Sequence, residues 1–102
     1  MPHDVQGGSL DLIRSYIALD RKQEAQLLID KLWLKSGQYL HWYCSLDGQR
    51  FDSSHRECMI HFYVLEQLLD MQESLSIEET DKKEKMLQSL LTIYQAKGGA
   101  DE

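Results

Sequence analysis

From Ala25 to Leu46 the apolar residues keep a single helical phase, and no other feature limits the possible folds as strongly. At about 100° per residue, Leu28, Ile29, Leu32, Tyr39, Leu40, Tyr43 and Leu46 all fall within about 60° of Ala25. A half-buried strand would alternate with period two, and a broken helix would restart in a new phase. The phase passes straight through Gly37, although glycine costs about 1 kcal/mol inside a helix. The pattern therefore predicts one long helix over about 22–46, bent, if anywhere, at Ser36–Gly37. The only proline is Pro2, and Val, Ile and Thr are few beside Leu, Gln, Glu and Lys. That balance favours helix over sheet, and the expected class is all-α.

Three further helices follow from the same period. Ser9 reads as an N-cap with Asp11 in the first turn, where negative charge suits the helix dipole. The first helix then spans about 10–20, with Leu10, Ile13 and Ile17 on one side and Leu12, Tyr16 and Leu19 beside them. Residues 1–8, MPHDVQGG, read as a disordered polar leader. Asp47–Gly48 is a turn signal, and Ser54 with Glu57 spells a capping box. The third helix is expected over about 55–75. Cys58, His61, Phe62, Leu65, Leu68 and Leu69 share its apolar face, which Ile60, Val64 and Met71 widen. So broad an arc predicts a central helix covered on two sides. Ser76 and Glu79 spell a second capping box before a fourth helix over about 77–97, with Leu87, Leu90, Leu91 and Tyr94 inward. Its opening EETDKKEK reads as a solvated charged face, and Gly98–Gly99 as its C-cap before a tail over 98–102. The expected architecture is one domain over 9–97, a four-helix array of two antiparallel hairpins.

Charge and composition narrow the functional classes. A chain of 102 residues with net charge −6 and no block of Lys and Arg repels a phosphate backbone, so nucleic acid is not an expected partner. No run approaches the roughly 18–20 apolar residues of a membrane span, so direct membrane insertion of this segment is not expected either. Two cysteines are too few for a disulfide framework. No serine or histidine sits in a nucleophile motif, and no glycine-rich loop cradles a phosphate. The expectation is a chain without catalytic residues and without a cofactor.

Chemistry concentrates in HWYCSLDGQRFDSSHRECMIH, residues 41–61, which holds both cysteines and three of the four histidines. Three readings compete. Three-residue spacings in His41–Cys44 and His55–Cys58–His61 supply the ligand types zinc prefers, with Cys44, Cys58 and His61 as the candidate set. Against this, His41 lies about 160° from the core direction of its helix, and His55 and His61 are about 120° apart. A Cys44–Cys58 disulfide across the turn requires Cα atoms within about 7 Å and facing Cβ vectors, which the flank position of Cys44 opposes. The third reading, which the wheel favours, makes Cys58 a small buried hydrophobe and His61 a hydrogen-bonded core histidine. His41 and His55 would then face water, with Cys44 half-buried. Nearby, Trp33, Tyr39, Trp42 and Tyr43 form an aromatic group. Trp42, at about 260° on the wheel, lies off the core face, so Trp42, with Trp33 and His41, is the candidate surface for a protein partner.

Two resemblances add to this reading. SLDLIRSYIALDRKQEAQLLIDKLWLKSG resembles one tetratricopeptide repeat, with Leu12 and Tyr16 at its inward positions, Ala25 at the helix crossing and Ile29 at the large apolar position of the second helix. Ile13, Asp20 and Gly37 depart from that pattern, standing where a small residue, glycine and proline are usual. The later helices do not repeat it and are expected to cap the first pair. In addition, SLDLIRSYIAL, EAQLLIDKLW, QYLHWYCSL and RFDSSHREC, in this order, resemble the C-terminal soluble region of polytopic membrane proteins of Bacteroidetes, in the protein O-mannosyltransferase-like family. This likeness spans about residues 9–97. It implies a helical tail facing the periplasm, whose parent's glycosyltransferase chemistry lies in a membrane portion outside this sequence, so no catalytic residue carries over. The expected role is a non-catalytic interaction or packing module, its partner a protein or a domain of the parent chain. The alternatives are a small metal-binding or redox protein and a free-standing cytoplasmic adaptor.

Overall fold

The amphipathic segments form four α-helices: α1 (Pro2–Ala18), α2 (Lys22–Ser45), α3 (Asp52–Glu73) and α4 (Ile77–Tyr94). The computed structural model describes the backbone of residues 2–45 and 52–96, and the side chains of residues 8–43 and 56–96. No strand occurs among the described residues. Successive helices pack on one another, and α1 also touches α3 as α2 touches α4. The array measures 44 × 32 × 20 Å. Its thin dimension is about two helix diameters, so every helix keeps a side in water.

Helix α2 runs through Gly37 without interruption, as its unbroken phase requires. It buries Ala25, Ile29, Trp33, Leu40 and Tyr43 against Cys58, Phe62, Leu65, Leu68 and Met71 of α3. Leu87, Leu90 and Tyr94 of α4 and Leu10 and Ile13 of α1 complete the core. Each of α2 and α3 contacts all three other helices, so the centre is this pair rather than α3 alone.

Several local expectations are corrected. Helix α1 begins at Pro2, not after a cap at Ser9, so residues 2–8 are helical rather than a leader. Proline's fixed φ suits a first helical turn, and the helix carries Gly7 and Gly8 despite their poor propensity. Leu12 is 44% exposed while Ile13 is wholly buried. The inward face of α1 is thus Leu10 and Ile13, one residue out of phase with the repeat-like placement. Ser54 lies inside α3, which starts at Asp52, an acidic residue in a turn where the dipole favours it. The turn at 46–51 and the Gly98–Gly99 cap lie outside the described residues.

The two hairpin turns are built differently. At the end of α1, Asp20 takes φ 61°. Arg21 N donates to Tyr16 O at 2.8 Å and Asp20 N to Ile17 O at 3.0 Å, the paired bonds of a Schellman motif. Glycine is the residue with no steric cost there; aspartate is tolerated because its short polar side chain suits αL. Arg21 then grips Glu24 through Nη2 at 2.6 Å and Nε at 3.1 Å, which holds the Glu24 carboxyl below its usual pKa. Between α3 and α4, Ser76 caps α4 by accepting from Glu79 N at 3.2 Å. The reciprocal half of the box is not made. Ser76 N already donates to Gln72 O, and the Glu79 carboxylate turns to Lys82 and Lys83.

A polar chain crosses the helices. The amides of Gln26 and Gln72 donate to each other at 2.7 and 2.8 Å, although Gln72 is fully buried. Gln26 Nε2 also donates to Asp30 Oδ1 at 3.0 Å, and Lys83 Nζ donates to the same oxygen at 3.1 Å. Lys83 therefore leaves the solvated face expected for EETDKKEK; it is buried, as is Thr80, while Glu78, Asp81, Lys82, Glu84 and Lys85 stay in water. Among the described residues, no buried side-chain nitrogen or oxygen is without a partner.

Two outcomes follow for stability. Gln72→Leu should cost about 1–3 kcal/mol by stranding its partner amide. The Gln26→Leu/Gln72→Leu pair should recover a measurable part of that in a urea-unfolding double-mutant cycle. Additive costs would mean the two amides do not act as a unit. Asp20→Gly should raise stability by up to about 1 kcal/mol by removing the αL penalty, read as a higher Tm.

Candidate functional site

The widest concavity lies between α2 and α4. Trp33 forms its floor: the indole is buried, and Nε1 donates to Met86 Sδ at 3.1 Å. Lys83 Nζ sits 5.8 Å from the Trp33 ring centre, within cation–π range. The close approach of α4 depends on Gly37, because a Cβ there would lie 2.6 Å from Met86 Cε. A larger residue would push the thioether off the indole and fill the groove from below.

Around this floor the walls stay apolar. Leu34 (59% exposed) and Trp42 (53%) rise from α2, and Met86 and Ile93 from α4. The groove encloses about 900 Å³, and its only ionisable lining residues are Asp30 and His41. Asp30 is already held by Lys83 and Gln26. The three residues expected at a partner surface, Trp42, Trp33 and His41, all line this groove, but in different roles. Trp33 is floor, Trp42 is wall, and His41 is exposed between them. Leu34, Met86 and Ile93 were missed by sequence reasoning. Their signal was available as apolar residues off the inner arcs of their wheels.

The histidine–cysteine segment resolves into separate environments. Cys58 is fully buried on α3. One turn on, His61 Nδ1 and Ser36 Oγ share a hydrogen bond of 3.0 Å, and the imidazole stacks on Tyr39 with centroids 4.5 Å apart. Ser36 is itself buried on α2, so this bond joins the two central helices. His41 points into the α2/α4 groove, away from this pair. The side chains of Cys44 and His55 lie outside the described residues, and with them both the proposed disulfide and the full zinc set. Among the described residues, no three of His, Cys, Asp and Glu are grouped to hold a metal ion, and no helix is long and apolar enough to cross a membrane.

Burial pushes the His61 imidazole below its usual pKa; Glu57 opposes the shift and Lys35 reinforces it. The folded state thus resists a proton that the unfolded chain accepts near pH 6.5. Stability is present above that pH and is lost as pH falls through and below it. Tm should drop between about pH 7 and pH 5, and His61→Gln should flatten that part of the profile. A profile unchanged by the substitution would remove His61 as its source.

Comparison with family models, with curated proteins and with solved structures gives no match. None of these comparisons bears on the resemblance drawn from residues 9–97.

Proposed function

We propose that this chain is a non-catalytic interaction module whose α2/α4 groove docks an amphipathic helical segment of a protein partner. One observation carries the reading: Leu34, Trp42, Met86 and Ile93 stay partly in water around a buried tryptophan floor, forming one continuous apolar trough. Such troughs between helices accept partners that present apolar residues at i, i+3 or i+4 and i+7. Met86 and Ile93, two turns apart on α4, supply the matching spacing. The tetratricopeptide-like first hairpin agrees with a binding role. As to context, the resemblance over 9–97 supports the soluble tail of a glycosyltransferase-like membrane protein, on its periplasmic side. The natural reading frame tests this: upstream membrane spans support it, and a frame without them leaves a free-standing adaptor.

Selection from a displayed library of helix-forming peptides tests the groove directly. The wild-type chain should enrich sequences with apolar residues at helical spacing, and Leu34→Glu/Ile93→Glu should abolish that enrichment. Trp42→Ala should weaken the selected peptides about tenfold or more, as loss of an aromatic anchor does. Its Tm should stay within about 4 °C of the parent, as for a surface change. A much larger fall in Tm would make Trp42 a core residue and remove the wall from the site.

A further inference from the structure

We infer that the helical segment occupying this groove is α2 of a second copy of the chain, the two copies meeting face to face through α2 and α4 about a two-fold axis near Gln38. The inference rests on the groove reading above and names its occupant. Three observations support it.

The first is shape. One face carries both a hollow and the projections to fill it. The hollow is at Gly37, where the absence of a Cβ lets Met86 lie close. The projections are Leu34 and Trp42, four residues to either side of Gln38 on α2, and Ile93 on α4. Successive helices are antiparallel, so α2 and α4 run parallel. A two-fold axis across them reverses the second copy, setting Leu34 of one copy level with Trp42 of the other. Met86 and Ile93 are brought level in the same way. Such an isologous contact is closed and self-complementary.

The second is charge. A chain of net charge −6 repels its own copy over most orientations. On this face Asp30 is neutralised by Lys83 at 3.1 Å, and the remaining lining charge is confined to His41. Of all the ways two copies can meet, this one avoids like-charge contact at the centre.

The third is size. Helix α4 has 18 residues, which makes it about 27 Å long, and two adjacent helices are about 20 Å wide. The face is then about 540 Å² per copy, or about 1,100 Å² in total, at the low end for a specific interface. That predicts a reversible dimer with micromolar or weaker affinity.

Sedimentation equilibrium of the whole chain tests the inference. Between about 5 and 500 µM, the mass should rise from the 11.9 kDa of one chain towards twice that value. Raising salt from about 0.05 to 0.5 M should tighten the dimer severalfold by screening the net repulsion; a contact held by ion pairs would weaken instead. Leu34→Glu and Ile93→Lys should each leave a monomer with the parent's helical circular dichroism and Tm. Leu27→Glu, on the α1 side of α2 beside Leu12 and Tyr16, should leave the dimer intact. A monomer throughout the range, a dimer indifferent to Leu34→Glu and Ile93→Lys, or one loosened by salt overturns the inference. A monomer that still selects helical peptides keeps the groove and changes its occupant; a monomer that selects none removes both.

Discussion

The fold depends on how α2 is tied to its neighbours by polar groups inside an otherwise apolar array. The reciprocal Gln26–Gln72 amides join α2 to α3, and Asp30 joins the same stretch of α2 to Lys83 on α4. Apolar packing alone leaves helices free to slide by a turn at modest cost, because leucines are nearly interchangeable. A buried amide pair is not: a shift of one turn would strand two donors and two acceptors at about 1–3 kcal/mol for each unsatisfied group. Ser36–His61 repeats the device two to three turns farther along α2. Two bonds at separate heights define the α2–α3 register, while the half-exposed Asp30–Lys83 pair contributes orientation more than energy.

That register is what creates the groove. With α4 held by Lys83, Met86 lands one turn later on the bare backbone of Gly37 and receives the Trp33 indole proton. The floor is closed by one sulfur and one missing side chain, so the walls contribute little to the core. Leu34, Trp42 and Ile93 are dispensable for folding in this arrangement, which is the condition for a surface that serves binding.

Much of the fold was legible because it rests on period. The four helices, the uninterrupted α2 and the Ser76 cap all follow from apolar spacing and cap chemistry. The polar ties did not emerge, because wheels scored only for apolar residues pass over polar ones inside the same arc. Ser36, Gln72, Thr80 and Lys83 each fall on the inner side of their helices, and each proves buried. Placed on the wheel with equal weight, they would have marked the helix-joining bonds. Helix starts were the other weak point. Ser9 and Ser54 both resemble caps, but the helices begin earlier, at Pro2 and Asp52, since a serine in the first turns is also compatible with continued helix. The repeat-like placement of Leu12 failed for a related reason: the Schellman turn at Asp20 sets the rotation of α1 and brings Ile13 inward.

The division between floor and wall gives the chain two built-in optical reporters. Its two tryptophans occupy different solvents, Trp33 sealed beneath sulfur and ammonium, Trp42 half in water. Emission from Trp33 should be blue-shifted and quenched, changing only when α4 lifts from α2. Trp42 emits from a wet environment and responds to whatever covers the groove. Folding and occupancy can therefore be followed separately in the unlabelled protein, by wavelength alone.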